Sequence, residues 1–166
     1  YRKLIVNQMV NAGLKKGEAT RIANNVLKIE TLIADSTWTR EESRNIPAMY
    51  NVRTIGQLKE MLPDFPWDRF FIETMGIETP EQVIVTTINT AKQGNKLFST
   101  LSDREKKDLY LWEYVSQAAP YLSDNFTKTS FEFNKVMSGV KQMRPRWKRA
   151  LGMAEGGMGE AIGQLY

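Results

Sequence analysis

The 166-residue chain is 42% hydrophobic and 25% charged, a balance that suits one folded domain and excludes wholesale disorder. It holds neither histidine nor cysteine, which excludes imidazole acid–base chemistry, a Ser-His-Asp triad, His- or thiolate-ligated zinc and any disulfide within these residues. The net charge is +4, and five of the 23 basic residues sit in residues 141–149 without an acid, so the rest is close to neutral against its 19 acids.

In chain order, residues 1–12 read as a helix with a broad apolar face from Leu4, Ile5, Val6, Met9 and Val10, stopped by Gly13. Residues 17–35 read as a longer amphipathic helix. Ala19, Ile22, Ala23, Val26, Ile29 and Ile33 form its core stripe, and Arg21, Asn25, Lys28 and Thr31 fall largely on the other side. Pro47 biases Ile46 away from helix, so residues 41–51 are expected to be a loop, with Arg44 as a ligand-binding cation or a structural tie.

Thr54 and Gln57 spell a capping box for a helix that ends before Pro63. Another helix starts at Pro66 and buries Trp67, Phe70 and Phe71 up to Gly76. Residues 82–87, QVIVTT, are the one convincing strand, expected to lack a partner in this chain. Residues 89–101 form a weaker helix with Gly94 inside it. Ser102 and Glu105 cap the next, which turns Leu109, Leu111, Trp112, Val115, Ala118 and Ala119 inward. Its acidic start, with Asp103, Glu105 and Asp108, reads as a solvated helix end.

Residues 123–139 give a helix with Phe126, Phe131, Phe133 and Met137. In residues 144–166, Pro145 suits a first helical turn, and Trp147, Leu151 and Ala154 follow at helical spacing. Gly156 and Gly157 are the expected break before a second short pattern of Met158, Ala161, Ile162 and Leu165. The whole predicts an all-α chain with at most one or two short strands. The uncapped start at Tyr1 and the apolar stop at Tyr166 set the expectation that the sequence is a truncated part of a larger, two-domain protein.

This last stretch resembles the neprilysin family of zinc metallopeptidases, which includes the endothelin-converting enzymes and bacterial oligopeptidase O. The resemblance lies in Trp147, Lys148 and Arg149, followed by Gly159, Ala161, Ile162, Gly163, Leu165 and Tyr166. Further matches fall in the family's order. They are Glu30, Ile33 and Ala34; Arg44, Pro47, Tyr50 and Asn51; Trp67; Leu109, Tyr110, Leu111 and Trp112; and Phe131, Phe133, Gly139 and Pro145. Two positions depart. Ile88-Asn89-Thr90 replaces the proline and aromatic after the strand, and Ala150 replaces the cysteine of animal relatives, which fits a bacterial source.

The resemblance implies that residues 1–166 are part of the N-terminal helical domain that covers the active site. The zinc-binding His-Glu-x-x-His helix would lie beyond Tyr166. It transfers no catalytic, metal or cofactor-binding residue onto this chain; zinc is expected in the parent enzyme only. Arg44, Arg144, Arg146, Lys148 and Arg149 stand as candidate chamber-lining or structural cations. The implied partners are the catalytic domain of the same polypeptide and peptide substrates. The implied location is the bacterial periplasm or cell surface, with the cytoplasm left open. No membrane span is expected here, since no run approaches roughly 18 apolar residues. No nucleic-acid partner is expected, because an amphipathic helix would bury Trp147 rather than offer it for stacking. Self-association through exposed apolar ends, at Leu4, Val6, Ile162 and Leu165, is expected. The alternative reading is a freestanding helical binding module whose basic edge meets an acidic partner.

Overall fold

A computed structural model describes residues 1–164. The chain divides into two compact units, one spanning Arg2–Ala118 and one running from Ala119 onward, with Tyr1. The architecture is helical, with a single two-stranded ribbon among the described residues.

The first unit is built on a hairpin of α1 (Arg2–Asn11) and α2 (Lys16–Ala34). Gly13 sits at φ 92°, a conformation that favours glycine, and lets the Gly13 and Leu14 N–H groups donate to the carbonyls of Val10 and Met9. Ile5 and Met9 bury against Ala19, Ile22, Ala23, Val26 and Ile29, the stripe expected from the sequence. α7 (Asp103–Ala118) packs across both helices with Trp112 and Val115, and α6 (Ile88–Thr100) adds Leu97 against α2.

The polar residues of α2 do not lie where the sequence put them. Arg21, Asn25 and Lys28 recur one turn apart on a stripe beside the apolar one, not opposite it, and α7 lies over that stripe. Arg21 Nη1 pairs with the Asp108 carboxylate, and Asn25 Nδ2 donates to the same oxygen at 2.7 Å. Lys28 Nζ reaches Glu105 Oε1, also at 2.7 Å. Asp108 is only 4% exposed, so the expected solvated acidic helix start is corrected at this residue. Glu105 closes the predicted capping box, its carboxylate accepting from the backbone N–H and hydroxyl of Ser102. The Lys28 ammonium and then the Ser102 donors hold its carboxyl down to about 2.

The middle of this unit is more ordered than expected. A 3₁₀ turn at Glu42–Arg44 leads into α3 (Ile46–Met49), where a loop was anticipated. Asn45 caps α3 by accepting from the Ala48 N–H at 3.3 Å, and Pro47 falls in the first turn, where its missing N–H has no helical partner to lose. β1 (Val52–Thr54) then pairs antiparallel with β2 (Gln82–Ile84), so the expected orphan strand has its partner inside the chain. Val52 faces Ile84 and Thr54 faces Gln82 in the register. The signal was missed because Val52-Arg53-Thr54 is three residues long and ends in the residue that caps the next helix.

That helix, α4 (Ile55–Met61), carries the expected Thr54–Gln57 box, with N···O distances of 3.0 and 3.2 Å. α5 (Trp67–Arg69) follows and widens into a π-helical turn at Phe70–Thr74. Phe71 is buried, while Trp67 and Phe70 are half-buried in a cluster with Phe65 and Phe98. The Trp67 indole N–H donates to the Leu62 carbonyl at 3.0 Å.

The second unit begins with a 3₁₀ turn at Ala119–Tyr121 and continues through α8 (Asp124–Ser138) and α9 (Arg146–Gly163). Gly139 at φ 71° ends α8. The expected break at Gly156–Gly157 falls at Met158, whose φ of −135° interrupts α9. Trp147 is 64% exposed, which overturns the expectation that its helix buries it. No residue of α9 is fully buried, and Phe126 alone is so in α8. Among the residues expected to form exposed apolar ends, Leu4, Val6 and Ile162 are half-buried and Leu165 lies outside the described residues, as do the last two positions of the Gly159–Tyr166 motif. In this unit the apolar exposure sits instead on residues that include Val136, Met137, Trp147, Leu151 and Met158, and the first unit exposes Ile46, Tyr50, Ile72 and Tyr114 among others.

Candidate functional site

Four of the five candidate cations meet in the second unit. The left-handed Gly139 turns the chain away from α8, and Pro145, extended at φ −52° and ψ 150°, admits it to α9. Residues 144–149 therefore gather around the first turn of that helix. Arg149, Gly152 and Met153, at i, i+3 and i+4, present one side of a cleft. Thr127, Phe131, Asn134 and Ser138 present the other from α8, at i, i+4, i+7 and i+11.

The cleft has a volume of about 470 Å³, and Val140, Met143 and Arg144 from the connection between the helices also line it. Arg144, Lys148 and Arg149 all line it, and no acid does. Arg146 lines a neighbouring cleft of about 590 Å³, which shares Arg149 and includes Asp124. None of these four cations has an ion pair among the described residues. Arg149 Nε is buried with no hydrogen-bond partner there, and Lys148 Nζ lies 5.3 Å from the centre of the Trp147 ring. Arg44 is exposed at the end of its 3₁₀ turn in the first unit and is not part of this group.

The model of peptidase family M13 matches residues 1–166, the whole chain. The chain belongs to peptidase family M13. Among its relatives, the neutral endopeptidase of Lactobacillus helveticus is 27% identical over 99% of this chain and 25% of its own length. Mouse neprilysin is 25% identical over 98% of this chain and 23% of its own. The crystal structure of the Mycobacterium tuberculosis zinc metalloprotease ZMP1 with an inhibitor superposes with a TM-score of 0.93 at 25% identity, over 100% of this chain and 26% of that one. The chain thus spans about a quarter of the length of the relatives it matches. What it matches is the N-terminal helical part of an M13 peptidase.

Relatives in this family carry zinc in their names, but the residues present here do not fit that metal. Imidazole and thiolate donors are missing from the sequence, and among the described residues no three carboxylates gather closely enough to hold an ion. The M13 chain offers a basic, partly apolar cleft instead. Sequence reasoning found its cations from the acid-free run in 141–149. It missed the apolar wall of Phe131, Met143 and Met153, having placed Phe131 only as an apolar residue of the 123–139 helix. The four-residue spacing of Thr127 and Phe131 was the available signal, because it continues into the polar Asn134 and Ser138 and so marks a face that is not packed away.

Proposed function

We propose that this chain forms part of the non-catalytic helical wall of a neprilysin-like zinc metalloendopeptidase acting on short peptides. The remainder of the same polypeptide supplies the metal-binding domain. The observation that carries the reading is the correspondence of all 166 residues with a quarter of ZMP1, in a chain that has no donor set for zinc. A wall of this kind acts by exclusion and positioning. It limits what enters, removes water on closure and holds a substrate in reacting geometry without touching the metal.

The test uses the full-length enzyme. Cleavage of a short unstructured peptide is compared with cleavage of the same sequence displayed in a stable folded protein. The wall reading expects the folded display to be cut far more slowly, by about 100-fold or more in kcat/KM, an energy of the size that steric exclusion readily supplies. Equal rates on both would overturn it. Lys148→Ala is expected to leave zinc content unchanged; loss of the metal in that variant would place this chain in the metal site and contradict the assignment.

A further inference from the structure

The cleft between α8 and α9 combines three features that together describe a ligand. Its walls are largely apolar, from Phe131, Met143 and Met153. Its rim carries Arg144, Lys148 and Arg149 with no acid to neutralise them. Arg149 Nε is buried without an acceptor, an arrangement that costs the desolvation of a charged donor unless something in the cleft accepts from it. A volume of about 470 Å³ lies in the range of small-ligand sites, roughly 300–1,000 Å³. Gly152 contributes no side chain, and an added Cβ there meets nothing within 4 Å, so the space is open to a guest.

We propose that this cleft binds a carboxylate group joined to an apolar side chain, as a peptide presents at its C-terminus or at an acidic residue beside an apolar one. The carboxylate takes the guanidinium of Arg149, whose planar fork suits two-oxygen recognition, with Lys148 and Arg144 adding charge. The apolar side chain fills the space beside Phe131 and Met153, above Gly152. As a substrate-selecting site it rests on the peptidase-wall reading; as a binding site it is testable on the chain itself.

Calorimetry of the 166-residue chain with three probes separates the two sources of carboxylate. The probes are N-acetyl-Ala-Phe as the free acid, the same peptide as its C-terminal amide, and N-acetyl-Asp-Phe-amide. Saturable binding of the free acid, weakened about tenfold or more in N-acetyl-Ala-Phe-amide and weakened again by added salt, is the expected result. Retained binding of the Asp-containing amide assigns the site to acidic side chains as well as chain ends; its loss assigns the site to chain ends alone, and both uphold the proposal. Gly152→Leu puts a side chain into the space the guest's apolar group would take, keeps every charge and favours the helix, so it should abolish binding while preserving the circular dichroism spectrum. Arg149→Gln should weaken the free acid and leave the amide unchanged. The proposal is overturned if the two Ala-Phe probes bind alike, if Gly152→Leu binds as well as the parent chain, or if no saturation occurs by ~10 mM, a ceiling corresponding to affinity too weak to select substrates. These outcomes are independent of the size-selection assay: absent binding beside intact size exclusion removes this site alone, and the converse removes the wall reading alone.

Discussion

Asp108 shows how much one residue can depend on its neighbours. In the sequence it stands in a run of alternating charges, and in the fold it is 4% exposed between Arg21 and Asn25. Truncating it leaves the Arg21 guanidinium, about 30% exposed, facing an emptied site. Asp108→Ala should therefore destabilise the first unit by about 3 kcal/mol, the range for breaking one side of a buried pair, as read from the urea midpoint of far-ultraviolet circular dichroism. Asp108→Asn, which keeps an acceptor oxygen, should lose less. Equal losses would mean that charge rather than hydrogen bonding holds the seam.

Glu105, one turn earlier, makes a prediction in pH. Its carboxyl is held at about 2 against an ordinary value of 4.5, so its contribution is fully present above 4.5 and is lost as pH falls toward 2. Glu105→Gln should lower stability at neutral pH, and the gap from the parent chain should close between pH 4.5 and 2. A gap of constant size across that window would remove the Lys28 and Ser102 donors as the cause.

At the scale of elements, the sequence was legible where a signal repeats over several turns. The α2 core stripe and the capping boxes at Thr54 and Ser102 all stand as expected, since each rests on spacing within one helix. What was not legible depended on partners distant in sequence. β1 is too short to announce itself, yet it supplies the partner that β2 was expected to lack. Trp147 belongs to an amphipathic pattern, but a pattern says which residues share a face and not whether anything covers that face. For the same reason the cations of 144–149 could be grouped from sequence, whereas the apolar wall they rim could not.

Glycine within α6 gives a test at this scale. Gly94 is exposed, has ordinary helical backbone angles, and would place an added Cβ in open space. Gly94→Ala should stabilise the chain by roughly 0.8 kcal/mol, the helix-propensity difference, in the same urea experiment. Gly139, at φ 71°, is the control of opposite sign, where alanine should cost about 1 kcal/mol. If both substitutions move stability in one direction, backbone conformation is not what distinguishes these two positions.

Across the whole molecule the two units differ in how much they bury. The first has an interlocked core from α1, α2 and α7, reinforced by the Arg21, Asn25 and Lys28 contacts. The second keeps Val136 at 78%, Met137 at 72% and Trp147 at 64% exposure, with Leu151 one turn beyond Trp147 at 48%. The first unit also exposes Ile46, Ile72 and Tyr114, but it is more than twice as long, so exposed apolar side chains are denser along α8 and α9. Apolar side chains that crowd together are the pattern that drives association between molecules. The 166-residue chain on its own should therefore associate through α8 and α9, not through the Leu4 and Val6 face of α1, which is half-buried. Light scattering should show a mass that rises with concentration. Leu151→Lys should lower it toward that of the monomer, whereas Val6→Lys should unfold α1 locally without dispersing the assembly. A chain that stays monomeric at high concentration and binds no apolar dye would show that these side chains are tolerated in water, as isolated surface residues often are. Dispersal by Val6→Lys instead of Leu151→Lys would move the sticky face back to α1.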